Sequence, residues 1–160
     1  MSELNRNELN ERQDRQMRTY GKEACLKLNN SNVILKGLSN NLGTEIAKNL
    51  ALGGVKNLFL CDNNKINKDD IEAGFYFSEE SLGKNRAENL KDSIQELNPY
   101  TNISIIDSGK LDNFISTNDN SVLILVNELK DDAIKFNNLC RTRNNFKMIW
   151  VRSIGISGII

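Results

Sequence analysis

Short apolar runs alternate along the chain with stretches in which apolar side chains recur at helical spacing. Val33 to Lys36, Asn57-Leu58-Phe59-Leu60-Cys61, Ile103 to Ile106, Val122 to Val126 and Lys147 to Val151 are the runs, and each predicts a strand. Between the first two, Thr44 to Leu52 places Ile46, Ala47, Leu50 and Ala51 on one helical face, and Gly53-Gly54 ends that helix by permitting positive φ. Lys84 to Leu97 turns Ala87, Leu90, Ile94 and Leu97 inward, with Ser81 as a candidate cap and Asn98-Pro99 as the stop. A further helix is expected from about Asp131 to Arg141, whereas Asn63 to Leu82 shows neither period and reads as irregular. Leu4 to Leu28 is polar with helical potential, broken at Gly21 and resumed as Lys22-Glu23-Ala24-Cys25-Leu26-Lys27-Leu28. Residues 1–30 therefore predict an N-terminal helical arm and residues 31–160 the main domain. Strands rich in Val, Ile and Leu that alternate with helices imply an α/β fold: a mainly parallel sheet with helices on both faces.

The segment between the first strand and its helix carries the first chemical hint. Gly37-Leu38-Ser39-Asn40-Asn41-Leu42-Gly43 stands where a Rossmann-like domain puts its phosphate loop, and Asp62 lies roughly 20 positions on, at the end of the second strand, where a carboxylate can meet a ribose hydroxyl. Glycines inside such a loop let backbone approach phosphates, and the helix behind it aims free N–H groups at them. Here the interior holds two asparagines instead, which are expected to crowd that approach. The chain is patterned like a nucleotide-binding domain but lacks part of the equipment.

Composition narrows the alternatives. Lys plus Arg and Asp plus Glu both total 21, so no net field points to nucleic acid or an acidic membrane as partner. No apolar run approaches the roughly 20 residues of a membrane span, and the N-terminus lacks the basic and apolar regions of a signal peptide. Cys25, Cys61 and Cys140 are far apart with no paired spacing, which suits reduced thiols in the cytoplasm or nucleus and small core side chains. The histidine count is zero, which removes Ser-His-Asp and Cys-His catalysis and any histidine-ligated zinc. Asparagine is the commonest residue, and its spread suggests drift at solvated positions. The chain stops in Ile154-Gly155-Ile156-Ser157-Gly158-Ile159-Ile160, an exposed-looking apolar end expected of a piece of a longer polypeptide.

An ordered set of segments then resembles one family. Gln13-Asp14-Arg15-Gln16-Met17-Arg18-Thr19-Tyr20-Gly21, Gly43-Thr44-Glu45-Ile46-Ala47-Lys48-Asn49-Leu50, Gly54-Val55-Lys56, Asp62, Leu82-Gly83-Lys84-Asn85-Arg86-Ala87-Glu88 and Gln95-Glu96-Leu97-Asn98-Pro99 resemble the ThiF/MoeB-like adenylation fold of the enzymes that activate ubiquitin and ubiquitin-like modifiers. Those enzymes hold two copies of the fold, one catalytic and one that has lost the chemistry. Against the catalytic pattern this chain departs three times. The loop gives Ser39-Asn40-Asn41 with one extra residue, Ala73-Gly74 stands where an Arg-Gln pair precedes the aromatic run Phe75-Tyr76-Phe77, and Asn127-Glu128-Leu129 replaces the Asp-Asn pair whose aspartate holds magnesium.

The resemblance therefore implies the non-catalytic copy, with ATP and magnesium in the partner's site, no tightly bound cofactor here, and no metal ligands in this chain. It implies an active adenylation domain as pseudo-twofold partner, a ubiquitin or ubiquitin-like modifier as substrate, and no nucleic acid or membrane. Asp62 reads as a vestigial ribose contact or a strand-end loop former, and Lys84 as a vestigial phosphate contact or a solvated lysine. Arg15, by residue match, corresponds to the arginine projected across the dimer to the partner's ATP. A guanidinium suits phosphate oxygens through fixed donors and permanent charge, so this reading is preferred to a merely solubilising one. An autonomous MoeB- or ThiF-type adenylating enzyme and a dinucleotide-dependent oxidoreductase domain are the alternatives. Lys22-Glu23-Ala24, Ser31-Asn32-Val33 and Gly53-Gly54-Val55-Lys56 look most like the N-terminal half of ubiquitin-activating enzymes, whereas Asp14-Arg15-Gln16-Met17-Arg18 looks more like the small subunit of SUMO-activating enzymes; the balance leans to ubiquitin.

Overall fold

The computed structural model describes residues 14–155 and 157–160, and of Asn40 the backbone. Residues 14–20 are helical (α1), and Gly21 at φ 86° turns the chain into α2 (Lys22–Leu28). The forward part of the expected arm, from Leu4 to Gln13, lies outside the described residues. The strands follow as β1 (Asn32–Lys36), β2 (Asn57–Cys61), β3 (Asn102–Ile105), β4 (Ser121–Val126), β5 (Lys147–Ile154) and β6 (Ser157–Ile159). They form one sheet in the order β3-β2-β1-β4-β5-β6, parallel except for the terminal β6. Chain order runs outward from β1 to β3 and then jumps back to β4 on the other side of β1, so the seam between β1 and β4 is the topological switch point.

Alternation along each strand sorts the core into two layers. Val33 and Leu35 join Leu58, Leu60, Ile103 and Ile124 against Ala47 and Ala51 of α3 (Asn40–Gly53) and Ala87, Leu90 and Ile94 of α5 (Arg86–Leu97). Ile34, Leu123 and Leu125 face the opposite way, against Leu111 and Ile115 of α6 (Leu111–Thr117) and Ala133, Phe136 and Cys140 of α7 (Lys130–Arg141). Helices thus cover both faces, as the apolar strands require. Cys25, Cys61 and Cys140 are all buried free thiols.

Three expectations are corrected. The helix placed at Thr44 begins at Asn40, because Ser39 already has the extended backbone of a cap and Leu42 adds an apolar contact to the same core face. The second long helix is capped by Asn85, whose side chain accepts from the Glu88 N–H, and not by Ser81, which is buried in a short 3₁₀ turn. Asn63 to Leu82 is not all irregular: α4 (Lys68–Ala73) forms there behind a capping box between Asn67 and Asp70, although it is too short to show an apolar period.

Asparagine, read as solvated drift, also does more. Asn32, Asn57 and Asn102 open three neighbouring strands in register, and their amides form a ladder: Asn57 Nδ2 donates to Asn32 Oδ1 at 2.7 Å and Asn102 Nδ2 to Asn57 Oδ1 at 3.1 Å. The central member loses both bonds on truncation. Asn57→Ala is expected to cost about 1–2 kcal/mol, two neutral hydrogen bonds at a half-buried position, with Asn102→Ala costing less; urea unfolding of the two variants checks the order.

Candidate functional site

At the C-terminal ends of β1, β2 and β4 the switch point opens into a cleft of about 230 Å³. Lys36, Ser39, Asp62, Asn64, Ser108, Glu128 and Asp132 supply its polar wall. Ligand pockets for drug-sized molecules run from about 300 to 1,000 Å³, so the space is small.

The turn beneath the cleft shows which glycines the fold itself needs. Gly37 has φ 94°, and a Cβ there would lie 2.4 Å from the Val126 carbonyl oxygen. A Cβ on Gly43 would lie 2.3 Å from the Gly37 oxygen, so this glycine lets α3 press against the turn. Both outer glycines serve backbone-to-backbone packing. Between them the chain is already helical from Asn40, and the exposed Asn41 accepts from the Thr44 hydroxyl through Oδ1 at 3.4 Å. The asparagines therefore belong to the first helical turn and not to an open loop.

Asp62 is 4% exposed and is engaged on both oxygens. Oδ2 accepts the Leu38 N–H at 2.8 Å, and Oδ1 accepts the backbone and side-chain N–H groups of Asn64, each at 2.9 Å. A carboxylate has about four acceptor positions. Three are filled by the chain, and the Arg86 guanidinium stands 3.7 Å from Oδ2. Arg86 is itself buried and grips Asp70 with Nε at 2.8 Å and a terminal nitrogen at 2.7 Å. Asp70 Oδ2 also accepts the Asn67 N–H at 3.0 Å, so one buried network ties β2, the turn after β1, α4 and the start of α5. In the sequence Arg86 stands out only within the segment Leu82-Gly83-Lys84-Asn85-Arg86-Ala87-Glu88. Its signal was an arginine among otherwise inward-facing positions of an amphipathic helix.

Across the seam, Lys36 Nζ lies 2.5 Å from Glu128 Oε1. Glu128, in the segment that departs from the catalytic pattern, is paired with the lysine that ends β1. Lys36 closes β1, and no spacing rule in the sequence links it to Glu128. Ala73 and Gly74 close α4, and Phe75 beyond them is exposed.

Lys84 is exposed, in the turn before α5, and its backbone closes that turn. Arg15 is exposed on α1 and makes no ion pair with any described residue, whereas its neighbour Arg18 pairs with Asp14 at 2.9 Å. Neither Lys84 nor Arg15 lines the cleft, so the structure does not bring the three sequence-chosen residues together. The thiols are not poised for chemistry: desolvation pushes Cys61 up despite its 3.6 Å contact with Ser108, and burial raises Cys140 to about 11. Asp62 is thus committed within the chain, and the Lys36–Glu128 pair spans the seam beside it.

The sequence profile of the ThiF family matches residues 13–128. The chain belongs to the ThiF family. Within it, this domain is related to the activating enzymes of ubiquitin-like modifiers. It is 35% identical over 144 residues to the ubiquitin-like modifier-activating enzyme 1 of Homo sapiens, covering 90% of this chain and 13% of that protein. It is 37% identical over 134 residues to the SUMO-activating enzyme subunit 1 of Xenopus laevis, covering 82% and 38%. The chain thus spans a small part of these relatives. Among solved structures, the ThiF-type fold is shared with E. coli tRNA N6-threonylcarbamoyladenosine dehydratase, TcdA, at TM-score 0.76 and 17% identity over 90% of this chain and 61% of that one. E. coli MccB follows at TM-score 0.74 and 22% identity, over 89% and 45%. At such identities the likeness speaks to fold alone. Among the described residues no helix is long and apolar enough to cross a membrane.

Proposed function

We propose that this ThiF-family domain is the non-catalytic adenylation-like copy of an enzyme that activates ubiquitin or a ubiquitin-like modifier, and that it works by completing an active copy packed against it. The observation that carries the reading is the internal commitment of Asp62 together with the Lys36–Glu128 pair: of the three carboxylates that line the switch-point cleft, these two are engaged within the chain. Transition-state charge on a transferring phosphoryl group needs preorganised donors and cations, and the one cation among the described residues lining this cleft, Lys36, is already paired with Glu128. Arg15 is the group left with chemistry to do. It is exposed on a helix ahead of the main domain and unpaired among the described residues, the state expected of a guanidinium donated to ATP in another domain.

The partner is an active adenylation domain, in the same polypeptide or a separate subunit, related by a pseudo-twofold axis. ATP and magnesium belong to its site, and the modifier's C-terminus is what it adenylates, in the cytoplasm and nucleus. Exposed Leu129, Ile149, Ile154 and Ile159 offer apolar surface for such a partner to cover. The test is modifier-dependent ATP–pyrophosphate exchange by this chain purified alone and after co-expression with candidate active halves. No exchange alone and brisk exchange in a defined complex is the expected result. Exchange by the chain alone would overturn the reading in favour of an autonomous adenylating enzyme.

A further inference from the structure

We infer that the Lys36–Glu128 ion pair is the resident occupant of the switch-point crevice, supplying from the chain itself a cation and a carboxylate where a metal-bound nucleotide would sit, and so holding the crevice closed to nucleotide. This deepens the non-catalytic reading and rests on it for its functional meaning, while the closure itself follows from the geometry. Lys36 ends β1 and lies in register with Leu125 of β4, and Glu128 follows two residues beyond the end of β4, so the pair bridges the seam where chain order reverses. Each side chain is 19% exposed, which removes much of the screening that weakens surface pairs.

Both ends of the bridge are held from behind. The Glu128 carbonyl accepts the Trp150 indole N–H at 3.2 Å. Asn127 sits at φ 57° and accepts from the Ser153 N–H at 2.9 Å and the Ser153 hydroxyl at 3.3 Å through Oδ1. The loop after β4 is thus a strut onto β5. Lys36 is fixed by its pairing with β2 on one side and β4 on the other.

Charge argues the same way. The wall holds one cation, Lys36, against three carboxylates, Asp62, Glu128 and Asp132. A free triphosphate is repelled by that balance, and a divalent ion seeking Glu128 must first displace an ammonium at 2.5 Å. Breaking a partly buried pair by removing one member leaves the other uncompensated, which costs more than removing both.

Hydrogen–deuterium exchange on the full protein, assembled with its partner, tests this peptide by peptide. With saturating ATP and magnesium, uptake in segments 36–41 and 124–132 is expected to stay unchanged while the partner's nucleotide loop becomes protected. Nucleotide-dependent protection of segments 36–41 and 124–132 would overturn the closure, yet leave the donation of Arg15 standing. A double-mutant cycle provides the second arm. Lys36→Met and Glu128→Gln should each lower the melting temperature by several degrees, and the pair together by no more than the larger single drop; additive losses would overturn the pairing.

Discussion

In the assembled enzyme, Arg15→Ala is expected to slow modifier adenylation by roughly 10³-fold, about 4 kcal/mol of transition-state stabilisation, with the fold of this domain intact. The magnitude is the lower end of what trans-acting arginines contribute in phosphoryl transfer. The structural argument is the contrast between two arginines on one short helix: Arg18 is paired with Asp14, and Arg15 extends into solvent with no ion-pair partner among the described residues. Arg15→Lys keeps the charge but loses the planar fork and should recover only part of the rate. Arg18→Ala, which breaks a surface pair, should change the rate by no more than a small factor. Exchange of labelled pyrophosphate into ATP at saturating modifier is the measurement. An Arg15→Ala complex as fast as the unmodified one would end the idea of donation while leaving the crevice argument untouched.

Arg86→Met is expected to cost about 3–5 kcal/mol of stability, because it strips the cation from two carboxylates that are almost wholly buried. Asp70 would lose a two-pronged grip, and Asp62 the guanidinium that stands 3.7 Å from its Oδ2. Against the 5–15 kcal/mol that holds a typical domain together, this is a large fraction. Arg86→Lys restores charge without the two-pronged geometry and should fall between. Urea unfolding of the full protein measures both, and a loss under about 1 kcal/mol for Arg86→Met would mean that the network is far less consequential than its burial implies.

The sheet was legible because its strands are nearly pure runs of apolar residues, and Asn57–Cys61 matched residue for residue. Helix faces were legible for the same reason: Ala47, Ala51, Leu90 and Ile94 are at zero exposure where the helical period placed them. Elements of about two turns or less were legible only in part: α2 matched, whereas α4 and α6 show no apolar period, and α4 is announced only by Asn67 and Asp70 closing a capping box. Helix starts were misjudged where a polar residue could belong to either side of the boundary, as at Asn40 and Ser81. At the site, the sequence could show that the glycines are missing but not what had taken over. Lys36 and Glu128 are separated by more than half the chain, and only the register of β1 on β4 brings them into contact. Arg86 was hidden for a similar reason: its partners come from the end of β2 and from α4, and no spacing rule connects them.

The two glycines that flank the turn after β1 carry a lesson about reversibility. Both are pinned by the backbone they touch, so the glycine-bounded turn is kept by the packing of the fold itself. Rebuilding a working cradle would require trimming the early helical turn at Asn40, releasing Asp62 from the Leu38 amide, and clearing the bridge over the seam. If the domain is the supporting copy proposed above, that role would be hard to reverse.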